Sequence, residues 1–247
     1  MTLPLFTVGP DALAGAGPGA RVVLDGAEGR HAATVRRIGV GERVLVADGR
    51  GTRAEATVVD AAPGELVLRV EAVQVEPEPQ PRLVLVQALA KGDRDDDAIE
   101  AATEIGVDEV VPWQAGRSIV QWRGPRGEKA HRKWQHVLEA ASKQSRRSRV
   151  PGLAPLAATR DVVARVGDAA AAYVLHEDAV EPLAAQVLPE AGDVLVVVGP
   201  EGGITPEELA AFVAAGAVAV RLGPTVLRSS SAGPAALAVL SAASRWR

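Results

Sequence analysis

The chain has 247 residues, 47% of them hydrophobic and 23% charged, with a net charge of -4. That balance fits a soluble globular protein with one large or two modest cores, and it leaves any affinity for nucleic acid to local basic patches. Cysteine is absent, so disulfides, thiolate metal sites and cysteine nucleophiles are excluded.

The opening MTLPLFTVGP has no basic segment followed by an apolar core, so it does not read as a secretory signal. No stretch approaches the roughly 20 apolar residues of a membrane span. The protein is expected in the cytoplasm. Short apolar runs follow at RVVLD (21–25), RVLVAD (43–48), AEATVVD (54–60) and ELVLRVEAV (65–73), separated by turn chemistry at DGRG (48–51) and APG (62–64). They predict a small β-rich domain, a barrel or a sandwich, over residues 1–75. Three prolines in VEPEPQPR favour extended backbone and forbid a helix. Residues 76–82 therefore read as a linker.

Beyond the linker, LVLVQAL (83–89), VDEVVPW (107–113), AAYVLHE (171–177), DVLVVVG (193–199) and AVAVRLG (217–223) alternate with longer helical stretches. Continuous apolar strands alternating with helices predict an α/β domain over 83–247, built on a mostly parallel sheet covered on both faces. Ligands bind such sheets beyond the carboxyl ends of the strands. KGDRDDD (91–97) resembles a metal site, but acids in a first helical turn answer the helix dipole, and no octahedral ligand set is present. No metal is expected.

Between Arg117 and Arg149 stand ten lysines and arginines and only two acids, a local excess of +8. Arg117, Arg123, Arg146, Arg147 and Arg149 belong to this patch, and Trp122 and Trp134 interleave with it. The pattern suits RNA phosphates with an aromatic for stacking; a solvated helix face is the other reading, and Trp134 reads as core. Arg30, Arg36 and Arg37, with Arg50 and Arg53, make a second basic set in the β-rich domain.

VLVVVGPEGGITPEELAAFVAAG (194–216) runs from a strand into a Gly-Pro-Glu-Gly-Gly turn and then a helix start. Thr205, Pro206 and Glu208 form a capping box with proline at the first helical position. No Lys-Ser/Thr follows the glycines, and the spacing is not that of a dinucleotide fingerprint. Glu201 would repel a phosphate and better tolerate a ligand with cationic character. LGPTVLRSSSAGP (222–234) repeats the strand, Gly-Pro turn and helix, and a third strand ends at YVLHE. Three loops are thus expected to converge on one pocket; a tight turn needing positive φ is the other reading of the glycines. Serines 229–231 read as caps of the last helix.

In order along the chain, KGDR (91–94), ATEIGVDEVVPW (102–113), GRS (116–118), EAASKQSRRSRVP (139–151), VGPEGG (198–203) and LGPTVLR (222–228) resemble the ribosomal small subunit methyltransferase E family of the SPOUT class. GRHAATVRRIGVGERVLVADGRG (29–51) is similar to that family's PUA-like barrel. The resemblance implies methylation of uridine N3 in 16S rRNA of the small ribosomal subunit, with S-adenosylmethionine as donor. It also implies a C-terminal trefoil knot and a homodimer. Carried over position by position, it places the cofactor on Leu175, His176, Gly199, Pro200, Glu201, Gly202, Gly203, Leu222, Gly223, Val226 and Leu227. The sequence departs from the family pattern in two places: serines 229–231 lack the usual acid, and Ala101 stands where a lysine is common.

The missing cysteine bears on the chemistry. Methylating carbon-5 of a pyrimidine usually needs a cysteine to add to the ring, so a nitrogen or a ribose oxygen is the natural acceptor. Loss of the N3 proton leaves negative charge on the two carbonyl oxygens, and Arg228 is the candidate cation to stabilise it. A partner phosphate or carboxylate is the other reading of Arg228. A methyltransferase acting on a ribose 2′-hydroxyl or another base, and a non-catalytic rRNA-binding assembly factor, remain the alternatives.

Overall fold

The computed structural model describes residues 3–246, which form two compact units. One runs to Glu78 and takes in Ser142–Val150; the other is Pro79–Ala141 with the chain from Pro151 onward.

In the first unit, β1 (Leu5–Thr7), β2 (Arg21–Leu24), β3 (Arg43–Ala47), β4 (Thr52–Ala62) and β5 (Glu65–Val75) make one sheet in the order β1-β3-β4-β5-β2. Helix α1 (Gly26–Arg30) and a π-turn over His31–Val35 link β2 to β3. Alternation dictates which face is buried. Ala54, Ala56 and Val58 of β4 and Leu66, Leu68 and Val70 of β5 point into one core with Phe6, Leu24, Val44 and Val46. β1, three residues long and parallel to β3, is too short to leave a periodic signal in the sequence.

Ser142–Val150 falls outside the linear division at the linker, and its contacts explain why. Lys143 Nζ donates to both carboxylate oxygens of Glu28 at 2.7 and 2.8 Å and lies 5.5 Å from the Phe6 ring centroid. Arg149 donates to the Glu76 carbonyl at 3.0 Å, and the Val150 N–H to Gly49 at 2.9 Å. Lys143 and Arg149, both cations of the basic patch, are thus engaged by residues of the first unit.

The second unit holds β6 (Arg82–Ala88), α2 (Arg94–Ile105), β7 (Glu109–Gln114), most of α3 (Gly124–Gln144), β8 (Gly152–Leu153), β9 (Ala157–Ala158), α4 (Thr159–Asp168), β10 (Ala171–Leu175), β11 (Glu181–Pro182), β12 (Asp193–Val198), α5 (Pro206–Ala214), β13 (Val218–Arg221) and α6 (Ser229–Ser244). Every strand pair is parallel, in the order β11-β13-β10-β12-β6-β7-β8, with β9 also on β7. β6 and β12 are buried almost without interruption, as a sheet covered on both faces requires. α6 packs on α2 and β12. At the amino ends of the strands, Arg82 bridges Asp193 at 2.9 Å and Glu109 at 3.1 Å, and Arg165 meets Glu109 at 2.8 Å. Ion pairs tie this end together, while the carboxyl ends are left to loops.

The acids of KGDRDDD do not share one environment. Asp93 and Asp96 both accept from Lys133 Nζ, whereas Asp95 is buried and accepts from backbone, the Ala90 and Asp96 N–H groups at 3.4 and 3.1 Å and its own N–H among them. Burial first, and the Asp96 charge second, push the Asp95 carboxyl up to about 6. The native state therefore holds this proton more tightly than the unfolded chain does. Ionised Asp95 costs stability above about pH 6, and the cost fades as pH falls towards 4. Asp95→Asn is expected to add about 2 kcal/mol at about pH 7.5 and almost nothing at about pH 4. Urea titrations at the two pH values check this, and equal gains at both would remove Asp95 as the titrating group.

Candidate active site

The carboxyl ends of β13, β10 and β12, neighbours in the sheet, open on one cavity of about 880 Å³. Leu175, His176, Glu177 and Asp178 come from the end of β10 and the loop after it; Val198 to Ile204 from the end of β12 and its turn; Val220 to Ser229 from the end of β13, the loop after it and the start of α6. All eleven residues carried over for the cofactor border this cavity, as does Arg228. Arg94, at the start of α2, and Arg117, from the loop after β7, border it too.

The Gly-Pro-Glu-Gly-Gly turn has a separate reason for each glycine. A Cβ on Gly199 would lie 2.7 Å from Ile204 Cγ1, and one on Gly202 would lie 3.1 Å from Arg117 Cβ. Gly203 has φ +74, in the left-handed region that favours glycine. The turn thus owes its glycines to packing and to backbone geometry alike. The capping box downstream forms: the Glu208 N–H donates to Thr205 Oγ1 at 3.2 Å, and the Thr205 N–H to Glu208 Oε2 at 3.1 Å.

Glu201, read as better tolerating a cationic ligand than a phosphate, has partners within the protein. Its Oε1 accepts from the Lys91 N–H at 3.1 Å and from Arg94 at 2.9 Å. Burial alone would raise its pKa; hydrogen bonds from its own backbone, from Lys91 and from Arg94 outweigh that and hold it below the ordinary value. The carboxylate is already satisfied, and it ties the loop after β6 to the turn after β12. His176 accepts from the Asp178 N–H through Nδ1 at 3.3 Å, which leaves Nε2 as the donor.

The serines do not cap α6. Arg228 is the N-cap, with φ -67 and ψ 152, and its carbonyl accepts from Ser231 and Ala232, both at 2.9 Å. The first turn of α6 holds no acid, so its positive end is uncompensated there. By contrast α5 begins with Pro206, Glu207 and Glu208. Arg221 and Arg228 border the cavity and pair with no acid among the described residues.

The arginines proposed for RNA divide between the units. Arg30, Arg36, Arg37, Arg146, Arg147 and Arg149 lie in the first, and Arg117 and Arg123 in the second. Arg30, Arg36, Arg37 and Arg146 are exposed; Arg37 and Arg146 adopt φ +54 and +60, the left-handed geometry that ends helical turns. Arg149 is held by Glu76. Trp122, half-exposed, packs edge-on against Trp134, 5.0 Å between ring centroids, and against His131 at 6.1 Å. Linear reading missed Arg94, Glu177, Asp178 and Arg221 as cavity residues and saw Glu208 only as a cap. Their one signal was position, just past a strand's carboxyl end.

Comparison with known proteins agrees with this architecture. Residues 76–241 match the family model for an RNA methyltransferase domain, and residues 24–71 that for an RNA methyltransferase PUA domain. Ribosomal RNA small subunit methyltransferase E of Mycobacterium bovis is 47% identical over 92% of this chain and 89% of its own length. The enzyme of the same name from Bacillus subtilis is 26% identical over 88% of each. A crystal structure of a ribosomal RNA small subunit methyltransferase E from Neisseria gonorrhoeae bound to S-adenosyl methionine superposes with a TM-score of 0.85 at 25% identity, covering 98% of both chains. With its two family domains in order and its match to these relatives nearly end to end, the chain belongs to the ribosomal RNA small subunit methyltransferase E family.

Proposed function

We propose that the protein transfers a methyl group from S-adenosylmethionine to N3 of a uridine in 16S rRNA of the small ribosomal subunit, acting in the cytoplasm as a homodimer. The observation that carries this reading is the convergence of three glycine- and proline-bearing loops, from adjacent parallel strands, on one cavity. The cavity fits the cofactor: its volume suits a small molecule, Leu175, Val226 and Leu227 give apolar surface for a purine, and the glycine turns bring backbone close. Bound there, S-adenosylmethionine supplies an electrophilic methyl group. The chain's part is to align uridine N3 with that group and to stabilise the charge left when N3 loses its proton. Support for the second task comes from Arg228, which borders the cavity at the positive end of α6.

A knotted threading belongs to the same reading. It is supported by β12 lying between β6 and β10, with β13 returning outside β10. Exposed Ile119 and Trp246, outside the cavity, support a second copy as partner. Among the described residues no helix is long and apolar enough to cross a membrane.

The test uses small subunits, and separately naked 16S rRNA, from cells lacking this protein, incubated with the enzyme and labelled S-adenosylmethionine. Mass spectrometry of the digested RNA is expected to find label in 3-methyluridine alone. Label in a 2′-O-methyl nucleoside would overturn the acceptor, and no label in either RNA would overturn the reaction.

A further inference from the structure

Glu208 is 7% exposed and carries more hydrogen bonds than a helix cap needs. Besides the Thr205 N–H, its Oε1 accepts from the Gly116 N–H and from the Thr159 hydroxyl, each at 2.8 Å. Thr159 Oγ1 in turn accepts from the indole N–H of fully buried Trp113 at 3.3 Å. Capping explains only the Thr205 contacts. The other bonds fix the loop leaving β7, and the residue after Gly116 is Arg117.

The Arg117 side chain crosses the glycine turn. It donates to the Gly202 carbonyl at 3.0 Å, and a Cβ on Gly202 would press on the Arg117 Cβ at 3.1 Å. One carbonyl occupies one of five guanidinium donors, which leaves a fork able to take an oxyanion in two parallel bonds. Arg117 borders the cavity, is exposed, and forms no ion pair with a described residue. Exposed Glu207 lies within its electrostatic reach.

Resting on the function proposed above, we infer that Glu208 is a positioning residue: its buried carboxylate holds Arg117 across the Gly202–Gly203 turn as an arm for an oxyanion. The oxyanion is either the methionyl carboxylate of the cofactor or a phosphate of the RNA. A loop held by a buried network loses little order on binding, which is what a carboxylate in this position provides.

A double-mutant cycle tests this. Affinity for S-adenosylhomocysteine is read by calorimetry, affinity for 16S rRNA by binding at several salt concentrations, and melting temperature alongside. Arg117→Ala is expected to weaken the ligand that supplies the oxyanion by about tenfold or more, the loss typical of a charged hydrogen-bonded pair. Glu208→Ala should weaken the same ligand by a similar factor when Arg117 is present, and by less than about threefold in the Arg117→Ala background. A loss confined to S-adenosylhomocysteine assigns the carboxylate. A loss confined to RNA, with a shallower salt dependence, assigns the phosphate. Glu208→Gln, which keeps the volume and one acceptor, should recover part of the affinity. If Glu208→Ala does not fold, Thr159→Val carries the cycle, since it removes a partner of Oε1 and leaves the α5 cap in place. Equal losses in both backgrounds would make Glu208 merely structural and overturn the inference, as would unchanged affinities in Arg117→Ala. Failure of the underlying reading has its own signature: the unmodified protein would bind neither ligand, and the inference would fall with it.

Discussion

Replacing Arg228 by alanine is expected to lower methyl transfer by about two to three orders of magnitude, the usual cost of removing one group that stabilises developing charge. The backbone should survive the change, because α6 uses only the carbonyl of Arg228 as its cap. The side chain borders the cavity without an acid to neutralise it among the described residues. Next to it, the first turn of α6 adds its own positive end without an acid of its own. Cofactor and RNA affinities should fall much less, since this interaction strengthens only as the N3 proton leaves. Raising the pH should rescue the variant in part by supplying deprotonated uridine. An arginine that grips a phosphate would behave otherwise: RNA affinity would drop, and the single-turnover rate at saturating RNA would recover. Full recovery at saturation would sink the catalytic assignment.

The strands past the linker were legible because a parallel sheet buried on both faces writes itself as uninterrupted apolar runs, and β6, β10, β12 and β13 begin and end within two residues of those runs. The glycine turns were legible as turns. What each glycine does was not, since the reason for Gly202 is Arg117, 85 positions away. The counter-ion of Glu201 was hidden for the same reason: Arg94 stands more than a hundred positions away, at the start of α2. Local patterns also misled where two structural uses compete. Serines 229–231 look like caps, yet the chain is already extended at Arg228, and the helix starts one residue earlier than a serine cap would allow. Lys143 and Arg149 read as a solvent-facing charge run until Glu28 and Glu76 are seen beside them. Period and turn chemistry travel along the chain; ion pairs and close approaches between distant segments do not.

The far end of α6 sets a stability test that is independent of the chemistry. Arg245 donates to the carbonyls of Gly106 and Pro81 and to the carboxylate of Asp108, which is almost wholly buried. The same carboxylate accepts from the Leu83 N–H at 2.7 Å. One guanidinium thereby joins the end of α6, the turn after α2 and the entry to β6, three segments with no common neighbour in sequence. Removing it takes the cation from a buried carboxylate and leaves two carbonyls short of a donor. Arg245→Ala is therefore expected to cost about 3 kcal/mol, a fall in Tm of roughly 6–12 °C for a chain of this size. Arg245→Lys should recover only part of this, because an ammonium does not span three oxygens in the plane that the guanidinium fork does. The second half of the expectation concerns function. α6 is 16 residues long, so Arg245 stands roughly 24 Å from Arg228, and turnover of Arg245→Ala well below its Tm should stay within about threefold of the unmodified protein. Calorimetric melting and kcat at low temperature, measured on the same preparation, separate the two. A variant that keeps its Tm would show that the clamp does not hold the fold, and one that loses turnover while folded would tie the two ends of α6 together.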